Sequence, residues 1–127
     1  EVLAIARAGI YPAQLLDPVP PLLRHKYVMS PRNPARREVR IAPALRSAIG
    51  FARLNLMDDH YPIGAPMDLI FCRNVLIYFD KPTQFRVVSR LTDCLAPGGH
   101  LFLGHSESIT GLDLPLEQVA NTVFRRS

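Results

Sequence analysis

No stretch of this 127-residue sequence approaches the ~18 consecutive apolar residues of a membrane-spanning helix, and its first residues do not read as a signal peptide. The two cysteines, Cys72 and Cys94, fall in a strand-like and a helix-like pattern with no metal spacing. With His25, His60 and His100 scattered, no His/Cys/Asp grouping supports a metal centre. Both thiols are therefore expected to be reduced, as in a cytoplasmic protein. Internal repeats and low-complexity segments are absent. A net charge of +4 and a pI near 9.5 come largely from residues 24–46. That stretch holds Tyr27 but no interleaved aromatics, which argues against nucleic acid and leaves a solvated basic face or a docking surface for an acidic partner. The length suits one domain, and 48% hydrophobic content suffices for a core.

The informative stretch is 67–108. Residues 67–72 (MDLIFC) and 101–103 (LFL) lack regular polar alternation, as expected of strands buried on both faces of a parallel sheet. Between them Phe85, Val88, Leu91, Thr92 and Leu95 recur at helical spacing. Asp80 suits an N-cap, Pro82 the first turn, and Pro97-Gly98-Gly99 a stop. Strand, crossover helix and strand make a βαβ unit. Polar residues gather after each strand: Arg73, Asn74 and Tyr78 after the first, His105, Ser106 and Glu107 after the second. Open α/β sheets bind ligands at the carboxyl ends of their strands, so the candidate site lies there.

Elsewhere, residues 1–9 read as a helix stopped by Gly9, and 12–21, with four prolines, as a loop. A short helix follows at 20–26. Strands are expected at 27–30, 38–41 and 49–54, a charged loop at 31–37, a helical turn at 43–48, and a closing hairpin from 116–119 and 122–125. The first residues already lie in a helical pattern, which reads as a chain starting within an element.

FCRNVLIYFD, LAPGG and LFLGHSES, with ARAGIYP, FARLNLMD and NTVFRR, resemble the bacterial chemotaxis receptor glutamate methyltransferases, the CheR family. One PGG alone is common among methyltransferases; four motifs in order are specific. The resemblance implies an α/β fold: part of a Rossmann-like (class I) S-adenosylmethionine methyltransferase sheet with a small inserted antiparallel β-subdomain at 24–50. It also implies methyl transfer from S-adenosylmethionine to receptor glutamates. Asn55 and Leu56 would contact the adenine, Asn55 by polar contact and Leu56 by packing. Arg73 and Asn74 would lie against the sugar and methionine portion, and Tyr78 beside the sulfonium. Each has a plainer reading: Asn55 as a turn former, Asn74 as a cap, Arg73 paired with Asp68 or Asp80, and Tyr78 as core.

A glutamate is ionised at pH 7 and is its own nucleophile, so no catalytic triad is required. His105-Ser106-Glu107 resembles one in composition, but three adjacent residues on a strand end cannot converge; they read as a structural rim. The family's glycine-rich loop, ribose-binding acid and N-terminal helical domain are not found here. The resemblance therefore implies that 1–127 is the C-terminal part of a methyltransferase domain, with those elements upstream and little activity expected of this part alone. Expected partners are chemoreceptor cytoplasmic helices and, through the basic segment, the receptor's C-terminal tail. A second class remains open, a non-catalytic receptor- or peptide-binding module. The strand at 67–72 is expected to have a bare edge, filled by residues 49–54, by a second copy in a homodimer, which is the favoured expectation, or by an upstream half lost to proteolysis or disorder.

Overall fold

The computed structural model describes residues 1–33, 35–104, 109 and 112–127, in two compact units, Glu1–Arg53 and Leu54–Ser127. In the first, α1 (Val2–Ala8) ends at Gly9, whose φ of 64° lets its N–H reach the Ile5 carbonyl. Then come β1 (Ile10–Pro12), a 3-10 turn (Ala13–Leu16), α2 (Pro21–Tyr27), β2 (Val28–Met29), β3 (Glu38–Ile41) and α3 (Pro43–Ala48). Proline opens both α2 and α3, where its missing N–H costs nothing. The strands form an antiparallel sheet in the order β1-β3-β2, with Ile10 opposite Arg40 and Val28 opposite Ile41.

A third strand was expected at 49–54, but that stretch is irregular, and β1 fills the place instead. Ile, Phe and Leu favour a strand only where a ladder partner accepts their backbone groups. Here the register from Ile10↔Arg40 to Pro12↔Glu38 already takes that edge of β3. Pro12 sits at the end of the edge strand, which tolerates a residue without an N–H. The supposed loop at 12–21 thus contains the end of β1, the 3-10 turn and the start of α2.

The second unit is built on β4 (Met67–Cys72), α4 (Lys81–Cys94) and β5 (Leu95–Leu103), followed by the hairpin of β6 (Leu116–Ala120) and β7 (Val123–Arg126). Its sheet runs β4-β5-β7-β6; β4 and β5 are parallel and the other pairs antiparallel. The βαβ unit and the hairpin therefore match the sequence reading. Asp80 caps α4, accepting the Thr83 N–H at 2.9 Å. The buried stripe of α4 is Val87, Val88, Leu91 and Thr92, with Val87 in the place expected for the more exposed Phe85. It packs with Leu76, Leu95, Leu101, Leu103, Tyr61 and Phe124 in one core. Arg126 ties β7 to the start of β5 by donating to the Leu95 carbonyl.

Two expectations change in this unit. β4 is not buried on both faces: Leu69 is 54% and Phe71 64% exposed, with Phe71 stacked on Phe102 at 4.5 Å. β4 ends the sheet, and residues 49–54 do not pair with it. Nor does Pro97-Gly98-Gly99 stop the helix, which already ends at Cys94. It forms a bulge inside β5 instead, since Met67 pairs with Leu95 but Leu69 pairs with His100. Gly98 turns the chain at φ 80°, while a Cβ on Gly99 would lie 2.9 Å from the Ala96 oxygen and 3.0 Å from that of Met67.

These oxygens belong to backbone that is held in the sheet, so they cannot move away cheaply. Gly99→Ala is expected to cost about 1–3 kcal/mol. Gly64→Ala, whose added methyl meets nothing within 4 Å, should leave stability close to unchanged. Leu101→Ala should cost about 2–5 kcal/mol, because the fully buried side chain leaves a cavity. Denaturant titration of the three variants checks this ordering; equal midpoints for the two glycine variants would remove the close-approach argument.

Candidate functional site

At the carboxyl end of β4, Cys72 is buried and Arg73 and Asn74 emerge exposed. Asn74 has φ 59°, in the left-handed region where Asn is among the few tolerated side chains. The backbone then closes a 3-10 turn, Leu76–Tyr78, with the Tyr78 N–H on the Val75 carbonyl at 3.2 Å. Leu76 is buried and Phe79 packs against the core, yet Tyr78 between them is 80% exposed. The core reading of Tyr78 is thereby excluded. Among the described residues no ion pair joins Arg73 to Asp68 or Asp80.

Asn55 and Leu56 lie on the loop before β4 rather than at a strand end. Asn55 Oδ1 accepts the Met57 N–H at 3.0 Å, and its carbonyl accepts the Asp58 N–H at 3.0 Å. It is thus a turn former, as its plainer reading held. A carboxamide oxygen has a second lone pair and the amide group keeps its two N–H bonds, so the turn does not exhaust Asn55 as a polar group. Leu56 packs partly against the core, and its carbonyl accepts the hydroxyl of Tyr61 at 2.7 Å. Tyr61 is 2% exposed; burial pushes its phenol pKa up, partly opposed by the neighbouring Arg90. Arg90 of α4 also donates to Asp59 at 3.0 Å, fastening the loop to the helix.

Candidate residues therefore come from two segments flanking β4: Arg73, Asn74 and Tyr78 within one short run after it, Asn55 and Leu56 before it. His105, Ser106 and Glu107 lie outside the described residues. Sequence reasoning missed the supports: Tyr61, Arg90 and Gln84, the last donating to the carbonyls of Leu76 at 2.8 Å and Phe79 at 3.0 Å. The available signal for Gln84 was a polar residue three and four positions before Val87 and Val88 of the buried stripe.

A cavity of about 200 Å3 is lined by Asp59, His60, Tyr61, Arg90, Asp93 and Cys94. It lies where α4 ends and the strands begin, away from their carboxyl ends. Neither Cys72 nor Cys94 is in a disulfide, and burial raises the pKa of Cys94. Among the described residues no His/Cys/Asp/Glu group could hold a metal, and no helix is long and apolar enough to cross a membrane.

Parallel strands joined by a crossover helix, with a left-handed turn and an exposed aromatic at the carboxyl end, are consistent with an α/β domain of the class I methyltransferase type. The model of the CheR methyltransferase SAM binding domain matches residues 1–125, and the chain belongs to that family. It is 37% identical over 123 residues to chemotaxis protein methyltransferase 2 of Pseudomonas aeruginosa, covering 97% of this chain and 44% of that protein. It is 39% identical to the chemotaxis protein methyltransferase of Escherichia coli, over all of this chain and 44% of the relative. The corresponding Borreliella burgdorferi protein is 34% identical over the same shares. The chain thus spans less than half the length of these relatives. The resemblance read from the FCRNVLIYFD, LAPGG and LFLGHSES motifs is borne out.

The cap of α4 follows the Tyr78 turn and rests on a carboxylate that is stabilised in its charged form. Hydrogen bonds from Thr83 hold the Asp80 carboxyl below the usual carboxylate range. A depressed folded pKa contributes stability above the unfolded value of about 4, and that contribution is lost as pH falls through the folded value. Asp80→Ala is therefore expected to lower the melting temperature at pH 7, with the difference from the parent shrinking on acidification. A difference independent of pH would show that the cap acts without its charge.

Proposed function

We propose that the protein carrying this chain transfers the methyl group of S-adenosylmethionine to glutamate side chains of chemoreceptors, forming glutamyl methyl esters. Residues 1–127 are read as the C-terminal part of the methyltransferase domain, 24–50 as its inserted β-subdomain, and the glycine-rich loop and ribose-binding acid as lying upstream. The cytoplasmic signalling helices of the receptors are the substrate, which puts the enzyme in the cytoplasm. The observation that carries this reading is the segment after β4, where Asn74 holds a left-handed turn and Tyr78 stands exposed between anchored neighbours.

The donor set suits the cofactor: a turn-forming amide and a half-buried leucine for a purine, a basic and an amide side chain for the polar chain, an aromatic for a sulfonium. Bound S-adenosylmethionine supplies an electrophilic methyl group. Asn55 would hold the purine edge while Leu56 would pack on the ring, and Arg73 and Asn74 would hold the sugar and methionine portion. Tyr78 would stand over the reacting centre, where it would help to exclude water and to orient the incoming carboxylate. Because the carboxylate is already ionised, alignment rather than proton transfer limits the reaction.

A second reading concerns partners. The loop between β2 and β3 carries Arg32, Arg36 and Arg37, and a cavity of about 270 Å3 is lined by Ile10, Met29, Pro31, Arg36 and Arg40 with Glu38. An acidic receptor tail adding to the short edge strand β2 suits this groove, with or without catalysis. The exposed edge of β4, bearing Leu69 and Phe71, suits pairing with a second copy.

Three measurements test these readings. Asn74→Ala in the full natural protein should weaken S-adenosylhomocysteine binding by about 1–3 kcal/mol. Asn74→Gly, which keeps the backbone turn, should weaken it equally if the side chain makes the contact; unchanged affinity in both removes Asn74 from the site. In a salt series, tail-peptide affinity should fall with ionic strength and with Arg36→Ala, whereas sedimentation should show a dimer insensitive to salt. Salt-indifferent peptide binding would discard the electrostatic docking, and a monomer at every concentration would discard the strand pairing.

A further inference from the structure

Gln84 is a half-buried polar residue one turn before the buried stripe of α4, and its position has a specific use. Its Nε2 donates to two carbonyls, Leu76 at 2.8 Å and Phe79 at 3.0 Å, the residues that bracket Ile77 and Tyr78. A carboxamide has two N–H bonds, one for each carbonyl, and no carboxylate or thioether can replace them. The turn does not need this clamp to close, because the Phe79 N–H already reaches the Leu76 carbonyl at 3.0 Å. Asp80 fixes the next residue, its carbonyl accepting the Gln84 N–H at 2.9 Å and its carboxylate the Thr83 N–H. The backbone from 76 to 80 is thus tied to the first turns of α4 at several points, while Tyr78 is left exposed.

We propose that Gln84 is a positioning residue for Tyr78: it locks the two carbonyls on either side of the aromatic, so that the ring keeps one attitude toward the reacting centre. The inference rests on the reading of Tyr78 as part of that centre. In-line transfer is intolerant of misplacement, and a shift of about 1 Å can cost about a hundredfold in rate. A lock on the turn therefore acts on turnover more than on binding.

The test uses the full natural protein, labelled S-adenosylmethionine and a chemoreceptor substrate, with Gln84→Glu, Gln84→Met, Tyr78→Ala and the double variants. Each Gln84 variant is expected to lower kcat by about tenfold or more. S-adenosylhomocysteine affinity should stay within about twofold. In the Tyr78→Ala background the same substitutions should cost nothing further, because the group they position is gone. Gln84→Met carries the test if the buried charge of Gln84→Glu prevents folding. Losses that multiply in the double variants would overturn the inference, as would full kcat in the Gln84 variants alongside a loss in Tyr78→Ala. Full kcat in Tyr78→Ala would overturn the reading of Tyr78 and the inference with it.

Discussion

The parallel pairing of β4 with β5 is the constraint on which the second unit depends. Two strands can run parallel only if the chain returns across the sheet, and α4 is that return. Its fourteen residues bury Val87, Val88, Leu91 and Thr92 against Leu101 and Leu103, so the helix cannot shift without opening the core. The strand begins immediately after the helix, and the surplus length is absorbed by the Pro-Gly-Gly bulge. Gly99 permits that bulge because three backbone oxygens occupy the space of a side chain.

α4 also supports both flanking segments. Its first turns hold the 76–80 backbone through Asp80 and Gln84, and farther along Arg90 holds the loop carrying Asn55 and Leu56. One rigid element thus sets the placement of groups that are distant in sequence. Under the proposed reading, methyl transfer to an ionised carboxylate, this would be the relevant contribution, since that chemistry asks for alignment and exclusion of water. The groups with displaced pKa values, Tyr61, Asp80 and Cys94, are accounted for by burial and capping.

Legibility in the sequence followed the range of the physical interaction. The Asp80 cap, the crossover helix, the parallel strands that flank it and the closing hairpin depend on contacts within a few residues or on a strong apolar period, and these were legible; the helix was read too long, since Leu95, counted on its face, already opens β5. The stretch 49–54 was misread because its composition suits a strand, while strand formation requires a partner that composition does not reveal. The Pro-Gly-Gly was misassigned for a related reason: the same residues suit a helix stop and a bulge, and only the register of β4 against β5 separates the two.

The sequence by itself determined the family, the order of the βαβ unit and the identity of the polar residues after β4, because motif spacing and hydrophobic period are properties of the chain. It could not determine whether Tyr78 is core or surface, since an aromatic in an apolar run is compatible with both. Tertiary structure decided that, by burying Leu76 and packing Phe79 so that Ile77 and Tyr78 between them are left exposed. It likewise decided the roles of Gln84, Tyr61 and Arg90, whose partners lie five to thirty-one residues away in sequence. A hydrogen bond across that distance exists only once the packed helix has brought its donor to the turn or loop it holds.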